Sequence, residues 1–277
     1  MKNNAFYKIW EVFKPFIIYY VAYYAAFLVI AYLCNAAMVY FGTGLRDYMT
    51  AHAETVTELV NSLSMLIAVL PLIPMLRGEL TLNKVNADDE PCRNAEDGWY
   101  ARKRVQAVVL TVILAAASSI GLNILLTLTG FVQTSATYQD VARQQYSVVF
   151  GVGALLFGLI SPITEEIVFR GLVFNRMQRY YPPIVAIGMS GLLFGVYHGN
   201  LVQGLYGTCM GILLAYTYAR MHSFFIPCLF HAVANLMVYT LVQNADLHTR
   251  LFTLPGCAIL LIISVVCIYV IEKGTYK

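Results

Sequence analysis

Charge is what this sequence has least of. Only 12% of its 277 residues are Asp, Glu, Lys or Arg, against 59% that are hydrophobic, whereas an average soluble protein is about 25% charged. So few charges cannot cover a water-facing surface, which excludes a soluble globular chain. The net charge is only +3 and the basic residues fall in loops, so there is no basic stripe for nucleic acid, which is excluded as a partner. The cysteines (34, 92, 209, 228, 257 and 267) are scattered, mostly in apolar runs, with no C-x-x-C pair, and read as small hydrophobes of a helical core. There is no H-E-x-x-H, so the common helical zinc-protease motif is missing. Ser161 and Ser190 lack a G-x-S-x-G context, which argues against serine chemistry. The apolar runs do not alternate with polar residues as barrel strands do.

What is present is a series of long, continuous apolar runs. A helical span needs about 20 mostly apolar residues, and eight candidates are legible: 16–41, 56–76, 105–131, 148–173, 183–197, 201–219, 224–242 and 254–271. The expected fold class is therefore all-α, a polytopic membrane helical bundle. The first run is too long for a signal peptide and lacks a cleavage site, so it reads as a retained span. Lys and Arg collect in cytoplasmic loops. Here they occur at Lys2, Lys8 and Lys14, at six positions in 77–104, at Arg176, Arg179 and Arg220, and at Lys273 and Lys277. The intervening loops hold only Arg46, Arg143 and Arg250. That alternation predicts eight spans with both termini inside. The segment 77–104, with Asp88-Asp89-Glu90 and Glu96-Asp97, fits no EF-hand spacing and reads as a solvated connection. Span one is rich in tyrosine (19, 20, 23, 24, 32 and 40), a residue that usually marks the membrane interface. The chain divides into N-terminal helices with their cytoplasmic loop (1–147) and a helical core (148–277).

Against this apolar background the ionisable residues of the second half stand out, because one charge inside a span costs roughly 2.5–3.5 kcal/mol on insertion scales. Glu165 and Glu166 follow Pro162, which lacks an N–H and is expected to kink or restart the helix, with Thr164 as a cap. Arg170 lies four residues beyond Glu166, so those two can pair on one face. Glu165 is rotated about 100° away and is free to face a reaction site, although the two acids could exchange these roles. His198 ends the next run. His231 and Asn235 lie at i and i+4 on a third, separated by small residues that permit close helix approach. His52, His222 and His248 carry no assignment. Peptide hydrolysis needs an activated water and donors for the developing oxyanion. A carboxylate and an imidazole can hold and deprotonate the water, and His and Asn on a facing helix can donate to the oxyanion.

The set Glu165-Glu166-x-x-x-Arg170, Phe194-x-x-x-His198 and His231-x-x-x-Asn235 resembles the signature of the CPBP family. That family comprises the CAAX-processing endopeptidases and bacterial bacteriocin-processing or immunity proteins. The resemblance covers residues 151–239. It implies an eight-helix intramembrane endopeptidase, a CAAX-protease-like hydrolase of metallo- or glutamate type, whose site opens to the cytoplasm. Glu165 and His198 would activate the water, His231 and Asn235 would form the oxyanion hole, and Glu166 and Arg170 would support and orient the site. The family is often described as metal-dependent. Zinc on Glu165, His198 and His231 is one reading, since zinc accepts His and carboxylate ligands, and a metal-free glutamate mechanism is the other. The segment His198-Gly199-Asn200-Leu201-Val202-Gln203-Gly204 resembles the bacterial branch, which points to a bacterial plasma membrane. The expected partners are the lipid bilayer and a membrane protein or peptide substrate. The alternative is a non-catalytic bacteriocin-immunity or scaffold protein of the same fold. A transporter, with its frequent inverted repeats, fits less well because the polar residues cluster in one half.

Overall fold

The structure, a computed structural model, describes residues 4–89 and 103–275. Every regular element among them is helical. Helix α1 (Ala5–Tyr40) is capped by Asn4, whose side chain accepts from the Phe6 N–H. A short helix, α2 (Thr43–Ala51), leads to α3 (Ala53–Val69), which continues through a turn at Leu70–Leu72 into α4 (Ile73–Asp89). The first part of the segment expected to be an open connection is therefore helix. Glu90, Cys92, Glu96 and Asp97 lie outside the described residues.

Helix α5 (Arg104–Leu128) follows, then the short α6 (Phe131–Thr134) and α7 (Ala136–Tyr146), and then a long composite helix, α8 (Phe150–Met177). Pro182 and Pro183 open α9 (Pro183–Tyr197), where missing N–H groups leave nothing unsatisfied. The chain turns at Gly199, whose positive φ of 71° suits glycine, into α10 (Leu201–Met221). Helices α11 (Phe225–Gln243), α12 (Ala245–Leu251) and α13 (Leu254–Thr275) complete the described chain.

Among the described residues, six helical stretches are long and apolar enough to cross a membrane: Ala5–Tyr40, Ala53–Thr81, Arg104–Leu128, Phe150–Met177, Phe225–Gln243 and Leu254–Gly274. The protein is an all-α, multi-pass membrane protein. The other two expected spans are helices but do not meet that measure. Helix α9 has only 15 residues, and α10 dilutes its apolar residues with Gln203, Thr208 and three glycines.

Helices α9 and α10 instead pack intimately on each other. A methyl added at Gly211 would come within 2.9 Å of Gly191 Cα and 3.0 Å of Phe194 Cβ. These backbones can approach only because both positions are glycine, the small-residue packing that membrane bundles use. Each end of the bundle is tied separately. At one end Arg176 donates to Glu79 (2.8 Å) and to the Glu11 carbonyl (2.7 Å), Arg179 pairs with Glu79, and Arg220 pairs with Glu272. At the other, Gln144 donates to Glu58 (2.7 Å), Tyr239 to the Val148 carbonyl (2.6 Å) and Gln243 to the Tyr146 carbonyl (2.8 Å).

Candidate active site

The site begins with the backbone of α8. The helix is neither broken nor restarted at Pro162; it widens into π-helix over Leu156–Ile160, returns to α over Ser161–Glu166, and widens again over Ile167–Phe174. The expected restart with a Thr164 cap is thus corrected: Thr164 Oγ1 bonds back to the carbonyls of Ile160 and Ser161. Such widenings concentrate at functional sites. This one has an identifiable consequence. The Ser161 N–H reaches Leu156 O, five residues back. In that register Phe157 O should accept from residue 162, which is proline and has no N–H. The orphaned carbonyl is taken by Asn235, whose Nδ2 donates to it at 2.9 Å.

The two acids then face different surroundings. Glu166 is fully buried, and its Oε1 accepts from Arg170 Nη1 at 2.9 Å and from His231 Nδ1 at 2.8 Å. Arg170 is also fully buried; its Nη2 donates to Gly211 O at 2.9 Å, and its guanidinium lies 4.7 Å above the Phe194 ring. The close approach of α9 and α10 at Gly191 and Gly211 therefore also brings Phe194 and the Gly211 carbonyl to this cation. Glu165 accepts from Ser161 Oγ at 2.7 Å through Oε1, while its Oε2 has no hydrogen-bond partner among the described residues and lies 3.8 Å from His231 Nε2.

Hydrogen bonding fixes both imidazoles. His198 Nδ1 sits 2.8 Å from the Phe194 carbonyl, which can only accept, so Nδ1 carries the proton and a neutral ring presents Nε2 as an acceptor. His231 Nδ1 likewise donates to Glu166, so its Nε2 is an acceptor when the ring is neutral and a donor when it is protonated.

A cavity of about 510 Å³ joins these groups; Glu165, His198, His231, Asn235 and Ser161 line it, while Glu166 and Arg170 stand behind its wall. Four of the six expected residues thus share one surface and the other two support it. Sequence reading missed Ser161 as a partner of Glu165 and the place of the tyrosines in the cavity. Tyr19, Tyr20, Tyr23 and Tyr24 lie on the cavity wall. Their spacing (19, 20, 23, 24) is one helical face, which was the available signal. Among the described residues no three His, Cys, Asp or Glu side chains converge in a metal-holding arrangement. Glu165, His198 and His231 as placed form no such group.

From Glu165 the cavity extends towards α7 and the first turns of α3 and α10, where Glu58, Tyr138, Gln144 and Gln203 line it. This is the end of the bundle away from the Arg176, Arg179 and Arg220 ties. The cytoplasmic opening implied by the resemblance and the N-inside orientation implied by the basic residues are therefore incompatible with each other in this fold.

The stretch of chain that carries these residues is similar to known proteins. A family model described as type II CAAX prenyl endopeptidase Rce1-like matches residues 147–237, a window that contains all six candidate residues. The putative membrane peptidase YdiL of Bacillus subtilis (strain 168) is 29% identical over 180 residues, covering 54% of this chain and 73% of that protein. No solved structure matches. The chain thus has family-level similarity to CAAX-type membrane peptidases, which supports a protease-like function.

Proposed function

We infer that this protein is an intramembrane endopeptidase that hydrolyses a peptide bond of a membrane-associated protein or peptide. The observation that carries the reading is the gap between Glu165 Oε2 and His231 Nε2. Both atoms belong to residues on the cavity wall, they stand 3.8 Å apart, and each is held from behind, Glu165 by Ser161 and His231 by Glu166. A water or tetrahedral oxygen lying to one side of this pair can reach both atoms at ordinary hydrogen-bond distances. In the proposed reaction Glu165 takes a proton from a water that His198 Nε2 also holds. The water oxygen bonds to the substrate carbonyl carbon. Protonated His231 and the second amide hydrogen of Asn235 face the developing oxyanion. The tetrahedral species collapses, the C–N bond breaks, and Glu165 returns the proton to the departing amine. Glu166 and Arg170 orient His231 without touching substrate.

In this reading residues 148–277 form the catalytic core, and the helices of 1–147 wall the cavity through Tyr19 and Glu58. With both termini inside, as the basic residues imply, substrate enters from the extracytoplasmic end. One observation favours the scaffold or immunity alternative, namely that Asn235 already spends one amide hydrogen on Phe157 O. Cleavage of quenched fluorescent peptides by purified wild type beside Glu165→Gln decides between them. Turnover by wild type alone supports the protease; none from folded wild type supports the scaffold.

A further inference from the structure

We propose that the outer part of the cavity is a subsite for a cationic substrate group, a Lys or Arg side chain, with Glu58 as the specificity-determining residue. The inference rests on the protease reading for what the subsite serves, but not for whether it binds. Three observations support it. First, the cavity lining contains two carboxylates, Glu58 and Glu165, and no Lys or Arg among the described residues. A carboxylate in such a wall attracts a counter-charge from whatever enters. Second, Glu58 is held rather than spent. Gln144 Nε2 donates to its Oε1 at 2.7 Å and Asn61 is a second side-chain hydrogen-bond partner, and a carboxylate has about four acceptor sites, so capacity remains for a charged donor. The Gln144 contact also fixes the carboxylate against α7, which gives it the rigidity a recognition group needs.

Third, the surrounding walls are aromatic. Tyr23, Tyr24, Tyr138 and Tyr146 line the same outer part. Desolvation raises the Tyr138 and Tyr146 phenols above their usual range, so both rings stay neutral and present electron-rich faces. Cations are attracted to tyrosine faces, and a tyrosine wall next to a carboxylate favours an alkylammonium or guanidinium over an acidic or purely aliphatic side chain.

The bundle also sets the register. Tyr19 interacts electrostatically with Glu165, Tyr23 is one turn further along α1 and donates to Asn61 Oδ1 at 3.1 Å, and Glu58 precedes Asn61 by most of a turn. At 1.5 Å per residue those steps place Glu58 about 10 Å outward from Glu165. An extended peptide advances about 3.3–3.6 Å per residue, so the cation would sit about three residues from the scissile bond.

The test uses the full chain in detergent and two readouts. A peptide series carries one Lys, or its uncharged isostere norleucine, at each position around a fixed cleavage site. With wild type, Lys about three residues from the cut is expected to lower KM about tenfold relative to norleucine. Glu58→Gln is expected to abolish that difference. Glu58→Lys is expected to invert the preference towards a Glu-containing peptide. The same dye-labelled peptides are titrated against Glu165→Gln and against Glu165→Gln/Glu58→Gln, with no turnover required. A Lys preference in binding that depends on Glu58 supports the subsite even if wild type cleaves nothing, in which case the protease reading alone fails. Equal binding of Lys and norleucine peptides, no binding of either, or equal loss for both on Glu58→Gln overturns the subsite and leaves the protease reading to its own test.

Discussion

His231 Nδ1 and Glu166 Oε1 lie 2.8 Å apart, linking α11 to α8 behind the cavity wall. The same oxygen accepts from Arg170, so one carboxylate orients an imidazole and neutralises a fully buried guanidinium. Removing Glu166 therefore does two separate things. Glu166→Ala strands Arg170 and is expected to destabilise the protein by about 3–5 kcal/mol, the usual cost of breaking a buried pair. Glu166→Gln keeps the volume and can still accept from one donor, so it should lower activity more than its milder stability loss explains. Thermal unfolding in detergent measured beside peptide turnover separates the effects, and equal stability losses for Ala and Gln would contradict this division of labour.

Glu165 has the opposite profile. Its contact with Ser161 is local and its second oxygen has no hydrogen-bond partner among the described residues. Glu165→Gln should leave unfolding nearly unchanged and reduce turnover by about 10²–10⁴, the range of a positioned general base. A variant with wild-type turnover would remove Glu165 from the chemistry.

The bond from Asn235 to Phe157 O exists because Pro162 cannot supply an N–H. Asn235→Ala is expected to cost about 1–3 kcal/mol by leaving that buried carbonyl unpaired. In a Pro162→Ala background a backbone N–H becomes available and the same change should cost less. The coupling energy of the double-mutant cycle should fall in the range of about 0.5–3 kcal/mol, and additive effects would show that the two residues are independent.

Helices α9 and α10 meet where a side chain cannot fit. Gly211→Ala places a methyl within 3.0 Å of Gly191 Cα and Phe194 Cβ, whereas at Gly204 the nearest atom, Gly195 O, is 3.6 Å away. Gly211→Ala should therefore destabilise by about 1–3 kcal/mol, as overpacking does, and loosen the Arg170 contact to the Gly211 carbonyl. Gly204→Ala should be tolerated. Unfolding midpoints of the pair compare the two sites directly.

Orientation is testable without substrate. Gln139 is exposed on α7 and Lys273 is exposed near the end of α13. In a background lacking the native cysteines, Gln139→Cys in intact cells should react with a membrane-impermeant maleimide while Lys273→Cys is protected. The reverse pattern would place the cavity on the cytoplasmic side.

The sequence by itself determined the class of the molecule and singled out the residues proposed to carry its chemistry. Scarce charge and continuous apolar runs leave only helices able to satisfy the backbone within lipid. Ionisable residues are costly enough there that Glu165, Glu166, Arg170, His198 and His231 draw attention unaided. The i,i+4 spacing of Glu166 and Arg170 was also enough to anticipate their ion pair. What the sequence did not determine depends on contacts between distant segments. Only the packed bundle put Asn235 against Phe157, since Pro162 creates the orphan carbonyl but cannot specify which helix fills it. Only the bundle made Tyr19, Tyr20, Tyr23 and Tyr24 part of the cavity lining, because a tyrosine suits an interface and a cavity wall equally well. The direction in which the cavity extends was likewise a tertiary outcome. It follows from which helix ends converge on Glu165, a relation between residues as far apart in the chain as Glu58 and Gln203.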